Sequence, residues 1–205
     1  EPFVNTYFYV KSISAVIEIA ETIGRCEVIS TLCKKREYLK AALVSAYYNS
    51  DTGDFCGGIQ GANAFAVDIG IGDGRTLKNL VSFYREYGMF NTGIFGTDIL
   101  PRVLFENGEE ELAYKLLSSK GKYSFGNWQA IGATTLWEYW TGERSHDHPM
   151  FGACSRYLFS YILGIRQAEG SSGYRELVIA PAEISLEKAS GSIEFESGTV
   201  SVGYK

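Results

Sequence analysis

The chain has 205 residues, of which 45% are hydrophobic and 21% are charged, and its formal net charge is -5. The acidic balance and the absence of a Lys/Arg run longer than three residues disfavour nucleic-acid binding. No apolar run reaches the roughly 18 to 20 residues that a membrane helix needs, so no membrane partner is expected. The length suffices for one large domain, or for one domain and part of another.

Apolar residues recur at a helical spacing through the first two thirds of the chain. Near the start they occupy Ile13, Val16, Ile17 and Ala20, one face of a helix that Gly24 would end. The same reasoning predicts helices around residues 29–46, 62–69, 77–84, 99–105, 109–117, 134–140 and 150–162, with a polar, glycine-rich loop at 49–61. This part of the chain is therefore predicted to consist of helical hairpins.

The hydrophobic period changes after Gly164. Short apolar or alternating segments at residues 177–180, 192–196 and 199–204 are typical of β-strands, and a polar linker lies near residues 167–173. We therefore predict a mainly α fold in two parts, with helical hairpins at residues 1–166 and a small antiparallel β-domain at residues 167–205. Helical hairpins followed by such a β-domain suggest an α/α toroid, although the periodicity by itself does not imply a closed ring.

The cysteines and histidines restrict the chemistry that the chain can support. No two cysteines form a Cys-x-x-Cys pair, so a zinc site is not expected, and all four thiols are expected to be reduced. The sequence implies no cofactor. The cysteines are Cys26, Cys33, Cys56 and Cys154. Both histidines of the chain lie close together, at His146 and His148. That clustering is the first indication of a functional site.

An unusual concentration of aromatic and ionisable residues occupies residues 123–152. This segment contains both histidines and all three tryptophans, Trp128, Trp137 and Trp140, with Glu138 between two aromatic residues. Sugars present apolar C–H faces and hydroxyl rims, so a sugar site needs aromatic plates for stacking and carboxylates or imidazoles for hydrogen bonds. The alternative is an amphipathic aromatic helix that packs into the core with Glu138 on its solvent face.

Several blocks of this sequence resemble the bacterial α-L-rhamnosidases of glycoside hydrolase family 78. The most specific block is Gly-Ala-Thr-Thr-Leu-Trp-Glu at residues 132–138, and further blocks lie at residues 92–97, 104–108, 112–117, 145–148 and 151–152. The resemblance covers nearly the whole chain in matching order and spacing. It implies that residues 1–166 are the C-terminal portion of an (α/α)6 catalytic barrel and that residues 167–205 are an incomplete β-sandwich domain.

The resemblance also implies an activity, the hydrolysis of terminal α-L-rhamnose from glycans or glycosides with inversion. It places the general base at Glu138 and a sugar-contacting histidine at His148, and the three tryptophans Trp128, Trp137 and Trp140 are then expected to bind substrate. Two positions depart from the family pattern. Asp147 replaces an Asn, which changes the local charge, and Tyr139 stands where Arg is frequent.

The general acid of that family lies in an Asp-Glu-Arg-x-Gly-Trp-type segment, and nothing like it occurs upstream of Phe90. The chain is therefore expected to be a fragment that carries the base side of the site and is inactive alone. Asp54 and Asp98 are less favoured substitutes for the acid, since solvated-loop or capping roles suit them better.

Two alternatives stay open, another α/α-barrel glycosidase with a different sugar and a non-catalytic sugar-binding fragment. The expected partner is a small-molecule or oligosaccharide substrate. The sequence leaves homo-oligomerisation undecided. It also leaves the compartment of this bacterial-type protein open, cytoplasmic or periplasmic and secreted.

Overall fold

The computed structural model describes residues 2–205, which form two compact units, one running up to Glu86 and the other covering Tyr87–Lys205. Helices dominate both units, and short antiparallel strand pairs follow the helices of the second. Among the described residues, no helix has the length and apolar character needed to cross a membrane.

The first unit begins with a helical hairpin. Helix α1 (Pro2–Thr22) and helix α2 (Ile29–Tyr47) pack together, and a 3₁₀ turn (Cys26–Val28) joins them. The residues of α1 that are buried recur every three or four positions, which defines one narrow stripe; they are Phe3, Tyr7, Val10, Ile13, Ile17 and Ala20. The prediction for this face is therefore confirmed except at Val16, which is 47% exposed because it lies outside that stripe.

The predicted loop at residues 49–61 contains a small hairpin of β1 (Tyr48–Asn49) and β2 (Asp54–Phe55). Helices α3 (Gln60–Asp68) and α4 (Gly74–Tyr87) follow it. The fully buried Asn63 ties α3 to the hairpin, since its side chain accepts a hydrogen bond from the Phe55 amide (2.8 Å) and donates one to Asp54 Oδ1 (2.7 Å). A buried amide with both ends bonded fixes the hairpin without leaving an unsatisfied polar group.

The second unit begins with three helices, α5 (Ile94–Glu106), α6 (Glu110–Leu117) and α7 (Phe125–Ala130). Helix α7 was not predicted. Its N-cap is Ser124, a residue type that is common at helix starts, and the Ser124 hydroxyl accepts a hydrogen bond from the Asn127 amide (3.1 Å). A 3₁₀ helix (Pro149–Ser155) packs on α5, and a π-helical turn (Leu158–Ile162) follows. The predicted helix at residues 150–162 is thus helical but not one regular α-helix.

The strands of the second unit form two antiparallel pairs. Strand β3 (Ile165–Gln167) pairs with β4 (Leu177–Ile179), and β5 (Ala189–Phe195) pairs with β6 (Gly198–Tyr204). Along β6 alternate residues are partly buried, as the sequence predicts. None of the four cysteines is in a disulfide among the described residues. The division into domains at residues 166 and 167 stays a prediction.

The helix predicted at residues 134–140 is wrong. This segment is irregular, and its backbone groups bond to distant partners instead of to the preceding turn: the Glu138 amide donates to the Ser145 carbonyl (2.9 Å), and the His148 amide donates to the Leu136 carbonyl (2.8 Å). The apolar positions at Leu136 and Trp140 imitate a helical period, but tertiary packing of the large aromatic side chains decides the conformation.

Candidate functional site

Two backbone hydrogen bonds, which join residues 136–138 to residues 145–148, close a loop within the second unit. They bring the start and the end of the loop side by side, so that Glu138 and His148 lie on neighbouring segments of the chain. Gly142 lies near the tip of this loop, where its amide donates to the Tyr139 carbonyl (3.0 Å). Residues that are ten positions apart in sequence thereby reach one site.

A cluster of aromatic side chains anchors the loop. The Trp140 indole donates its N–H to the Thr92 carbonyl (2.8 Å), and the Trp128 indole donates to the Trp140 carbonyl (3.0 Å). The Trp140 ring stacks parallel to Phe90 at 5.6 Å between centroids and contacts Phe151 at 4.4 Å. Both indole N–H groups are satisfied, so these rings form a fixed base for the loop.

An open cleft of about 710 Å³ lies against this aromatic base. Glu138, His148 and Thr92 contribute polar groups to its wall. The rest of the wall is mainly aromatic and apolar and includes Phe95, Tyr123, Tyr139, Trp140, Met150 and Phe151. Apolar walls with a few convergent polar groups are the usual composition of a small-molecule site.

The carboxylate of Glu138 is held by the residues that pair with it across the loop. Its Oε2 accepts a hydrogen bond from the Ser145 amide at 3.4 Å, and its Oε1 lies 3.7 Å from Nη1 of Arg144. The Glu138 side chain is 25% exposed and lines the cleft. This arrangement suits a carboxylate that takes a proton from a water molecule.

The two histidines have different surroundings. The His146 ring stacks on Trp137 with 4.2 Å between centroids and an interplanar angle of 13°, and its Nε2 lies 2.7 Å from the Gly142 carbonyl oxygen. His148 lines the cleft together with Glu138. His146 is thus held within the loop, whereas His148 lies on the wall of the cleft, and its contact with a sugar stays a prediction.

The three tryptophans that were predicted to bind substrate have different surroundings. Trp140 lines the cleft, whereas Trp137 forms the stacked pair with His146. Trp128 is 2% exposed beneath Trp140 and borders a second, smaller cleft of about 250 Å³. The roles of these three residues in substrate binding stay predictions.

The sequence reasoning missed one wall of the cleft, which residues 91–95 provide. This stretch precedes α5, and the Trp140 indole binds its Thr92 carbonyl. The only signal in the sequence was that residues 92–97 belong to the blocks that resemble the family. No composition or spacing rule connects this stretch to the aromatic segment.

The two less favoured acids are both held in other contacts. Burial raises the pKa of Asp54, but hydrogen bonds from Asn63 and Asn79 outweigh it and leave that pKa below its ordinary value. Asp98 accepts hydrogen bonds from the Arg156 guanidinium (2.9 Å) and the Tyr157 hydroxyl (3.2 Å). A general acid needs a raised pKa and a free proton to donate, so neither environment suits that role.

Replacing Gly142 by Ala should destabilise the loop. Gly142 has φ = 80°, and an added Cβ would lie 2.7 Å from the Trp137 ring. Gly108 has a similar φ of 76° with open space around it, so Gly108→Ala is the matched control. We expect Gly142→Ala to lower the free energy of unfolding by about 1 kcal/mol more than Gly108→Ala, because overpacking adds to backbone strain.

Urea unfolding of both variants measures this difference. Equal losses of stability in the two variants would show that a Cβ at residue 142 does not clash with the Trp137 ring.

Across residues 2–205 there is no group of three or more His, Cys, Asp and Glu side chains that could hold a metal ion.

Comparison with known proteins identifies the family. The model of the bacterial alpha-L-rhamnosidase six-hairpin glycosidase domain matches residues 1–162. An alpha-L-rhamnosidase of Alteromonas sp. (strain LOR) is 34% identical over 129 residues, which are 55% of this chain and 13% of that protein. An alpha-L-rhamnosidase of Formosa agariphila is 25% identical over 219 residues, covering 98% of this chain and 23% of that protein.

A solved structure confirms the fold class. The crystal structure of the Streptomyces avermitilis alpha-L-rhamnosidase complexed with L-rhamnose superposes with a TM-score of 0.87 at 24% identity. The match covers 97% of this chain and 20% of that one. The mainly α fold with a small antiparallel β part, predicted as part of a helical barrel and its β-domain, is thereby confirmed.

The family model places residues 1–162 in a class of glycosidase domains. The chain belongs to the family of bacterial alpha-L-rhamnosidase six-hairpin glycosidase domains. It spans less than a quarter of the length of the two relatives described above.

Proposed function

We propose that this chain is part of a glycoside hydrolase that releases terminal α-L-rhamnose with inversion, and that it supplies the base side of the active site. The observation that carries the proposal is the placing of Glu138 and His148 in one aromatic-walled cleft. Family membership and the rhamnose complex of the Streptomyces relative support rhamnose as the sugar.

In this mechanism Glu138 accepts a proton from a water molecule, and the water attacks the anomeric carbon from the face opposite the leaving group. A second carboxylic acid, roughly 6.5 to 9.5 Å away in inverting enzymes, protonates the departing glycosidic oxygen. Glu138 lines the cleft and its side chain is 25% exposed, and the cleft has room for both a water molecule and a sugar.

The cleft matches a deoxy sugar in its chemistry. Rhamnose carries a methyl group in place of the C6 hydroxymethyl, so one of its edges is apolar and the other presents hydroxyls. Apolar side chains such as Phe95 and Met150 fit the methyl edge, while His148 fits a hydroxyl. Trp140 and Tyr139 offer aromatic surface to the C–H face of the ring.

We further propose that the general acid comes from a segment outside these 205 residues. Asp54 has a lowered pKa and Asp98 is bound to Arg156, so neither is a suitable donor. The catalytic-barrel portion is proposed to be residues 1–166 and the β-sandwich portion residues 167–205. We call the protein that joins these residues to the acid the complete enzyme.

The isolated chain should therefore fail to hydrolyse rhamnosides. Without an acid, the leaving oxygen would depart as an unprotonated alkoxide or phenoxide, which removes the contribution of about 100-fold to 10,000-fold that positioned proton transfer supplies. The measurement is an assay of the chain at high concentration with an aryl α-L-rhamnoside, after circular dichroism has shown that it is helical.

The matched variants are Asp54→Asn and Asp98→Asn. Turnover well above background that either substitution abolishes would show that the acid lies within the chain. In the complete enzyme, preferred hydrolysis of an aryl glycoside of a different sugar would contradict the assignment to rhamnose.

A further inference from the structure

We propose that Arg144 is a positioning residue that holds the Glu138 carboxylate in its productive orientation. This inference rests on the proposed function of Glu138 as the base. Arg144 lies outside the residues that line the cleft, so the role would be exerted through Glu138 and not through contact with the sugar.

The first observation is the contact set of the carboxylate. Its Oε1 lies 3.7 Å from Arg144 Nη1, and its Oε2 accepts the Ser145 amide at 3.4 Å. Two consecutive residues of the opposite side of the loop thus hold the two oxygens. Each carboxylate oxygen has two lone pairs, so both contacts leave acceptor capacity for a water molecule.

The second observation is that the Arg144 side chain is fixed at a second point. Its guanidinium carbon lies 5.4 Å from the centre of the Tyr139 ring, within the range of a cation–π contact. Tyr139 directly follows Glu138 and lines the cleft. The planar guanidinium is therefore directed along the chain toward the carboxylate, although the Arg144 side chain as a whole is 70% exposed.

The third observation is the backbone of Arg144, which has φ = 62°. The left-handed region is unfavourable for a residue with a Cβ, and such conformations concentrate at functional sites. The other residue with positive φ in this loop is a glycine, Gly142. The loop thus adopts a strained backbone conformation at Arg144, whose guanidinium lies 3.7 Å from the Glu138 carboxylate.

An exposed ion pair contributes little to folding stability. If the pair of Arg144 and Glu138 only stabilised the fold, its removal would therefore leave catalysis unchanged. A positioning role predicts a different pattern. Restricting the carboxylate affects the attack of water, which is expressed in kcat, and does not alter how the ground-state sugar binds, which is expressed in KM.

The test is a double-mutant cycle in the complete enzyme with an aryl α-L-rhamnoside. Arg144→Gln should lower kcat about fivefold with KM unchanged, the size expected when one exposed ion pair is lost. Arg144→Lys should restore part of the rate, since it keeps the charge without the planar fork. In a Glu138→Gln background, Arg144→Gln should cause no further loss, because both changes act through one group.

Arg175→Gln is the control, since it removes an equal charge at an exposed arginine between β3 and β4. A fivefold loss that persists in the Glu138→Gln background, or a higher KM with an unchanged kcat, would overturn the positioning role. Failure of the proposed function itself gives a separate result, since the parent enzyme and Glu138→Gln would then have the same rate on rhamnosides.

Discussion

Replacing Glu138 by Gln should lower kcat of the complete enzyme at least about 100-fold, because positioned acid–base groups contribute roughly 100-fold to 10,000-fold. The amide keeps the size of the side chain and can still accept the hydrogen bond of the Ser145 amide, but it cannot take a proton from water. The substrate should bind almost as before, since the cleft keeps its shape. Steady-state kinetics with an aryl α-L-rhamnoside measure both quantities.

Glu143→Gln is the matched control, because Glu143 is an exposed glutamate in the same loop. It should leave kcat nearly unchanged. Turnover of Glu138→Gln close to that of the parent enzyme would remove Glu138 from the role of base, whatever the control shows.

Changing His148 to Ala should weaken the binding of L-rhamnose about tenfold, since a hydrogen bond to a ligand contributes about 1 kcal/mol and a lost partner leaves a sugar hydroxyl unsatisfied. His148 lines the cleft, whereas His146 stacks on Trp137 and contacts the Gly142 carbonyl. His146→Ala should therefore change affinity less and chiefly lower the stability of the loop.

Isothermal titration calorimetry of the complete enzyme with L-rhamnose measures both affinities, and thermal unfolding reports stability. The reverse order, with His146→Ala weakening rhamnose binding more than His148→Ala, would mean that the sugar occupies a different part of the loop.

Periodicity predicted the helices that have one regular buried face. In α1 the residues Ile13, Ile17 and Ala20 are buried as expected, and α4 buries Leu80 and Tyr84. These predictions succeed because a single apolar stripe leaves a helix few ways to pack. Strands β5 and β6 were predictable from a regular pattern too, since the alternation along β6 marks its partly buried side.

The conformation of the aromatic segment could not be predicted in this way. Its hydrogen bonds join Glu138 to Ser145 and His148 to Leu136, and its indole groups bind backbone carbonyls far away in sequence. Local spacing carries no information about such partners, and the large buried rings override helix propensity. Its composition left a sugar site and a core-packing helix both open, the site stays a prediction, and the geometry of the segment could not be predicted.

The contacts that the side chains of Arg144 and His146 make could not be predicted from the sequence either. Both lie in a polar stretch in which the sequence drew attention to the two histidines but not to Arg144. Only the structure shows that one approaches the Glu138 carboxylate and that the other covers Trp137.

The central claim is that Glu138 activates water in a single displacement, and the anomeric form of the first product tests it most directly. Proton NMR of the complete enzyme acting on an α-L-rhamnoside, recorded before mutarotation, should show β-L-rhamnose appearing first. An inverting site uses one carboxylate as the base, whereas a retaining site uses it as the nucleophile. Initial release of α-L-rhamnose would contradict the account, because Glu138 would then have to attack the sugar itself.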